Sequence, residues 1–281
     1  MVERDARADS RVVLLDNGSV NPDSVLAGRK LAADFSDQIG QPVDLVSVAH
    51  SDRIPVGDLD GVPAQIWESY LGKCLENGLR ELRVVPLFFG PSFALRKAKK
   101  AAAALQVHGH GMRARWSDCL TSKESKDRLL TEILADNVLQ VVNTVDSSDP
   151  LPRILMVDHG SPFQEVTELR DLAGTSLAET LGSRVERVVA CSMERREGDA
   201  YDFNEPTLES ALENAREDGV KQVILNYLFL FPGRHAGPGG DIDQICEAKG
   251  WGSGSGLLKT ILVGENPRLA ELLKARLGAL G

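Results

Sequence analysis

The sequence predicts an α/β fold of two tandem lobes. Each is expected to be a four-stranded, mostly parallel sheet flanked by helices, with a cleft between the two. Three observations lead there. Residues 12–19 read VVLLDNGS and residues 154–161 read ILMVDHGS. Residues 84–94 read VVPLFFGPSFA and residues 225–235 read LNYLFLFPGRH. The matched segments are offset by about 141–142 residues, close to half of the 281-residue chain, as in a duplicated unit. Short apolar runs also alternate with stretches of helical periodicity, the pattern of parallel strands joined by crossover helices.

In the first half, Arg11–Leu15 reads as a strand, Asp23–Ile39 as a helix and Val43–Ala49 as a strand. Ala64–Asn77 reads as a helix closed by Gly78, the residue type that tolerates the left-handed position after a helix. Leu82–Phe89 is a Val- and Phe-rich strand, Ala94–Gln106 a helix, Met112–Trp116 a strand and Lys126–Val142 a last helix. The second half repeats the order: strand Ile154–Val157, helix Glu165–Leu181, strand Val185–Met193, then helix Glu205–Asp218 closed by Gly219. Strand Val223–Phe231, short helix Ile242–Lys249, strand Leu258–Val263 and helix Pro267–Leu280 complete it, with proline in the first turn of the last helix. The polar, proline-bearing stretch Asp146–Pro152 is the join, so the lobes are expected at 1–148 and 149–281.

Composition narrows the class. An apolar fraction of 42% supports packed cores. No apolar run approaches the roughly 20 residues of a membrane span, and the first ten residues lack a signal-peptide apolar segment, so a soluble cytoplasmic protein without membrane partners is expected. The net charge of −9 argues against non-specific nucleic-acid binding and makes any anionic substrate depend on a local basic patch. Cys74, Cys119, Cys191 and Cys246 form no CxxC pair and read as small buried hydrophobes.

The two copies differ where chemistry would sit. His159 stands where the first copy has Asn17, and His235 where it has Ala94. An imidazole carries a proton or binds a metal near neutral pH; an amide and a methyl do not. His159 follows the first strand of the second half, Glu194 the second and His235 the third, so all three are expected at one sheet edge, where α/β folds bind ligands. Taken singly, each also fits an ordinary loop residue. Two imidazoles and a carboxylate suit a borderline divalent ion such as Co²⁺, Fe²⁺, Ni²⁺ or Zn²⁺, and the lack of an obvious fourth ligand argues against a closed structural zinc site. The glycines at 237, 239 and 240 lack the phosphate-loop pattern and read as a close approach to a flat ligand, a lid or a plain turn. His50, Asp52, His108 and His110 do not join the constellation.

The motifs at 157–161 (VDHGS) and 228–236 (LFLFPGRHA), followed by Asp241-Ile242, resemble those of the class II chelatases, the family of the sirohydrochlorin cobaltochelatases and ferrochelatases of cobalamin and sirohaem synthesis. The resemblance covers the second half well and the first half as a diverged copy, as in the two-lobed long form. It implies that His159 and His235 bind the incoming metal and face the tetrapyrrole, with Glu194 as the assisting carboxylate and Glu205 as second choice. Many long-form members keep their histidines in the first half; here they are in the second.

The activity expected from this resemblance is ATP-independent insertion of Co²⁺, Fe²⁺ or Ni²⁺ into sirohydrochlorin or a related tetrapyrrole. The metal is a co-substrate, and no permanent cofactor is needed. One imidazole would also accept pyrrole protons, with Glu194 neutralising metal charge or relaying protons. A substrate rich in carboxylates needs cations; Arg195, Arg196 and Arg234 flank the ligands, and Arg96, Lys97, Lys99 and Lys100 begin the corresponding helix of the first half. Ser161, Arg195, Arg234, Arg96 and Lys97 are the expected substrate contacts. A non-catalytic tetrapyrrole or metal carrier and a metallohydrolase built on the same three residues are the competing readings.

Overall fold

The second-half strands are apolar on both faces, as strands covered by helices on both sides must be. All six residues of β5 (Arg153–Asp158) and all five of β7 (Val223–Tyr227) are buried. In the computed structural model, which describes residues 10–107, 111–121, 128–146, 148–252 and 254–281, these strands lie at the centre of a four-stranded parallel sheet of order β6-β5-β7-β8. β6 is Arg187–Ser192 and β8 is Leu257–Lys259. The first half builds the same sheet, order β2-β1-β3-β4, from β1 (Ser10–Asp16), β2 (Val43–Ser47), β3 (Glu81–Pro86) and β4 (Arg113–Trp116). Register is conserved between the copies: Asp16 pairs with Ser47, and Asp158 pairs with Ser192.

Helices form where caps and periodicity agree. α1 (Pro22–Ile39) starts with Pro22 behind Asn21, whose side chain accepts the Asp23 N–H at 2.9 Å, and it ends at Gly40 with φ 64°. α2 is Trp67–Glu76, α3 is Phe93–Val107 and α5 is Gln164–Leu181. The Thr207 hydroxyl caps α6 (Leu208–Glu217) by accepting the Ser210 N–H. α7 is Asp241–Ala248. The first core gathers Val13, Leu15, Val46, Trp67 and Val84; the second gathers Leu155, Val157, Leu208, Leu212, Leu225 and Trp251. Cys74, Cys191 and Cys246 are buried free thiols, and Cys119 is half-buried. No described helix is long and apolar enough to cross a membrane.

The compact units do not follow the expected boundary at 148/149. One comprises residues 1–125 with 270–281, the other residues 126–269. α4 (Leu129–Val142), read as the last helix of the first half, packs in the second unit. There the buried Asn226 of β7 donates through Nδ2 to the Leu134 carbonyl at 3.3 Å, and Asn137 accepts from Asn266 Nδ2 at 2.7 Å. Arg268 adds bonds to Glu132 and to Asp136. Conversely, most of α8 (Leu269–Gly278) belongs to the first unit, where Arg276 donates to the Cys119 and Leu120 carbonyls. Buried amides and guanidinium groups must find partners, and theirs lie in the unit built by the other half of the duplication. The strand expected over Val223–Phe231 ends at Tyr227, where its ladder with β5 stops at Val157; Leu228 and Leu230 stay buried as loop core.

The ends of β1 and β5 handle one buried carboxylate in two ways. In both, the carboxylate accepts the N–H of the glycine two residues on and bonds the serine at the end of the neighbouring strand. Asp158 has a counter-ion, the buried Arg170 of α5, with Nη1 3.8 Å from Oδ1. α1 and α5 have equal length, and the position matching Arg170 is Gly28. Asp16 therefore stands without that guanidinium. Its Oδ1 is buried with no hydrogen-bond partner, and burial pushes its pKa from 3.8 up to about 6.

Two stability effects are expected. A carboxyl whose pKa is raised on folding favours the fold when protonated, an effect lost as pH rises through about 6. The stability advantage of Asp16→Asn over wild type should thus grow by roughly 2 kcal/mol between about pH 4 and pH 7 in urea denaturation. Arg170→Met removes the partner of a buried carboxylate and should destabilise the second unit by about 3–5 kcal/mol at neutral pH; an unchanged urea midpoint would refute the pairing.

Candidate active site

Three loops leave the carboxyl edge of the second sheet, after β5, β6 and β7, and each brings one of the expected residues. The first is shaped by Gly160, which has φ 87° and lies so close under the neighbouring loop that a Cβ there would stand 2.0 Å from the Glu194 carbonyl oxygen. Only glycine fits such a crossing. The Glu194 N–H donates to the His159 carbonyl at 3.4 Å, so the backbones carrying the imidazole and the carboxylate are tied to each other. The first unit keeps the same crossing, with Gly18 under Ala49 and the Ala49 N–H on the Asn17 carbonyl. Ala49 is therefore the counterpart of Glu194, and with Asn17 and Ala94 all three chemical side chains are lost in that copy.

His159 and His235 meet edge to face, with ring centroids 4.6 Å apart and planes at 79°. His159 Nδ1 lies 3.2 Å from the Gly160 carbonyl oxygen, and its Nε2 is 3.7 Å from Glu194 Oε1. His235 Nδ1 lies 2.7 Å from Asp241 Oδ2. In both rings Nδ1–H is the donor to oxygen, which leaves the Nε2 lone pair for a proton or a metal. The side chains of His159 and Glu194 are 49% and 62% exposed, and those of His235 and Asp241 are 31% and 28%. His235 is thus the more enclosed imidazole and the one oriented by a carboxylate.

Asp241 was visible in the sequence only as part of a motif; its role comes from the turn that precedes it. Gly237 donates to the Gly233 carbonyl and Gly240 to the Gly237 carbonyl, and the Asp241 N–H returns to the Arg234 carbonyl at 3.1 Å. A Cβ on Gly240 would lie 2.5 Å from that same Arg234 oxygen. The glycines let the loop fold back so that the first residue of α7 reaches His235. The plain-turn reading of this stretch is the one the geometry supports.

Arg170 is the residue that sequence reasoning missed. It is 1% exposed and binds the Ser192 hydroxyl, the Asn204 carbonyl at 3.1 Å and the Glu205 carbonyl, besides facing Asp158. One guanidinium thus fixes the ends of β5 and β6 and the segment before α6. Only its position on the inner face of α5 could have signalled this. Asn204, fully buried, accepts the Ser161 N–H and donates to the Ser161 carbonyl, both at 2.9 Å.

The expected substrate contacts separate into several kinds. The Ser161 hydroxyl accepts the Phe163 N–H at the start of α5. Arg195 is committed to the loop, pairing with Asp202 at 2.9 Å and with Glu205 at 2.8 Å. Glu205 also accepts the Thr207 N–H, the structural role for a residue at a helix start. Arg234 is 81% exposed and touches Asp241 with Nε at 3.2 Å. In the first unit Lys97 pairs with Glu68 at 3.1 Å, and the Arg96 N–H continues α3 by donating to the Ser92 carbonyl. Lys99 lies over the Trp116 ring. His50 is exposed with φ 73°, and His108 and His110 lie outside the described residues. Among the described residues no three His, Cys, Asp or Glu side chains are gathered to hold a metal ion. His159, His235 and Glu194 are therefore an open arrangement, with Glu194 turned to His159.

A family model described as CbiX matches residues 153–280. A search of curated protein sequences finds no match. SirB from Bacillus subtilis with Fe³⁺ superposes with a TM-score of 0.71 at 12% identity, over 97% of this chain and 95% of that one. SirB from Bacillus subtilis subspecies spizizenii, a sirohydrochlorin chelatase in complex with cobalt, gives 0.64 at 12% identity over the same shares. CbiX, the terminal enzyme for biosynthesis of siroheme in denitrifying bacteria, gives 0.59 at 16% identity over 96% and 98%. Such identities establish the fold, and the family match falls on the half that carries both imidazoles. Residues 153–280, a little under half of the chain and the part that carries both imidazoles, are thus similar to the CbiX family.

Proposed function

We propose that this chain inserts a divalent metal, Co²⁺ or Fe²⁺ with Ni²⁺ also accepted by the ligand chemistry, into sirohydrochlorin or a related tetrapyrrole without ATP. The observation that carries the reading is the pair of imidazoles 4.6 Å apart at one sheet edge, each with Nδ1 engaged by an oxygen. Relatives of the same fold are described with Fe³⁺ and with cobalt and as acting in siroheme synthesis, which supports the substrate class.

Metal insertion demands two things of a protein. Two pyrrole N–H protons must leave, and a hydrated cation must exchange water for ring nitrogens. The two imidazoles serve both, because neutral Nε2 is a ligand for borderline divalent ions and a base near neutral pH. The hydrogen bond to Asp241 fixes the His235 ring, which favours it as a ligand. His159, beside the exposed Glu194, has a carboxylate within reach to balance metal charge or hand protons to water. An ion in transit needs a site that binds and then releases, and an open arrangement suits that better than a closed cage. Wild-type protein mixed with sirohydrochlorin and Co²⁺ or Fe²⁺ should speed the absorbance change of insertion over free solution.

His159→Ala and His235→Ala should each lower that rate by about 100-fold or more. A rate no faster than free solution, with tetrapyrrole still bound, would make the chain a carrier; full activity in both variants would refute the mechanism. Asp241→Asn keeps the shape but weakens the orienting bond. It should raise the KM for metal by about tenfold or more, with far-ultraviolet circular dichroism unchanged.

A further inference from the structure

Beside His159 the second unit carries a groove of about 270 Å³ lined by His159, Ser161, Pro162, Glu194, Arg195 and Arg196. Two cations enter it, and they are not equivalent. Arg195 is neutralised by Asp202 and Glu205, and its Nη1 donates to the Gly198 carbonyl. Those bonds fold the segment after β6 back on itself and leave the neighbouring Arg196 facing the groove. Arg196 has no ion pair among the described residues. Its guanidinium carbon stands 5.7 Å from the centre of the Tyr201 ring, and Tyr201 in turn packs against Phe203. An aromatic face holds a guanidinium through its π cloud while leaving the N–H groups at the guanidinium's edge free to donate. A planar cation held in that way is prepared for a carboxylate, which it can take with two parallel hydrogen bonds.

We infer that Arg196, seated on Tyr201, is the residue that grips a peripheral carboxylate of the macrocycle and so sets how the ring is turned over the imidazoles. The inference rests on the proposed chelatase reading and deepens it. In a polycarboxylate tetrapyrrole the reacting nitrogens lie at the centre and the carboxylates radiate from the rim. The imidazoles belong to the centre, and Arg196 lines the groove beside His159, on the loop after β6. The sequence gives adjacent arginines no means of division; the ion pairs assign Arg195 to the loop and Arg196 to the ligand. Arg196 is a binding residue and takes no part in proton or metal transfer.

The test uses the full-length chain and two forms of one macrocycle, the free acid and its methyl ester. Arg196→Gln should raise KM for the free acid about tenfold while kcat stays within about twofold. Arg196→Lys should fall between, because it keeps the charge but loses the fork. With the ester, wild type and Arg196→Gln should behave alike. An unchanged KM for the free acid, or an equal rise for both forms, would overturn the assignment. Absorbance titration of macrocycle binding, without metal, separates this from the chelatase reading. A protein that never inserts metal but loses affinity for the free acid alone on Arg196→Gln upholds the carboxylate grip and refutes only the activity. A wild-type chain that binds neither form refutes both.

Discussion

A single buried guanidinium organises the end of the second sheet. Arg170 reaches from α5 to Asp158, to the Ser192 hydroxyl and to the carbonyls of Asn204 and Glu205, so one side chain bonds segments separated by dozens of residues. Removing such a group from water is costly, and it is tolerated only where hydrogen bonds are nearly complete. With Asp158 held, the Gly160 N–H has its acceptor at 3.0 Å, the turn closes and His159 leaves the sheet in a defined direction. Burial still pushes the Asp158 carboxyl upward, and Arg170 works against that. The site is thus built on a polar anchor, and the apolar core beneath it supplies rigidity but no direction.

The first unit shows what is left when the chemistry is dropped and the architecture kept. The strand order, the register, the glycine crossing under the next loop and the buried aspartate with its serine are all retained. What has gone is what faces outward, the imidazole, the carboxylate and the second imidazole, together with the arginine underneath. Asp16 persists without its counter-ion, and its carboxyl still accepts the Gly18 N–H and bonds Ser47. Both copies keep the backbone geometry and only the second keeps the exposed side chains, so the glycines match while the histidines do not.

Within the second unit the two imidazoles are unequally supported. His235 is half-enclosed and carries a carboxylate on its far nitrogen, whereas His159 leans on a backbone carbonyl and faces an exposed glutamate. A ring held by Asp241 keeps one orientation, and the ring beside the exposed Glu194 is open to water. In the proposed reaction this asymmetry would let an ion be taken up and then surrendered, because neither imidazole closes around it.

Much of the molecule was legible in one dimension. Apolar runs of strand length, helical periodicity with Asn21–Pro22 and Gly40 at its ends, and the repeated motifs specify two parallel sheets, because local backbone preference and face burial leave few alternatives. The residues at strand ends were legible for the same reason: in a parallel α/β sheet every strand delivers its following loop to one edge. Three things were decided only in three dimensions. Which unit α4 and α8 serve depends on where Asn226, Asn137 and Arg276 find partners, and hydrogen-bond partners 92 to 157 residues apart leave no local signal. Arg195 and Arg196 are indistinguishable neighbours until Asp202, Glu205 and Tyr201 arrive from the next turn. The buried ion pair of Arg170 and the orienting bond of Asp241 arise from packing distances, and distance is the quantity a sequence does not contain.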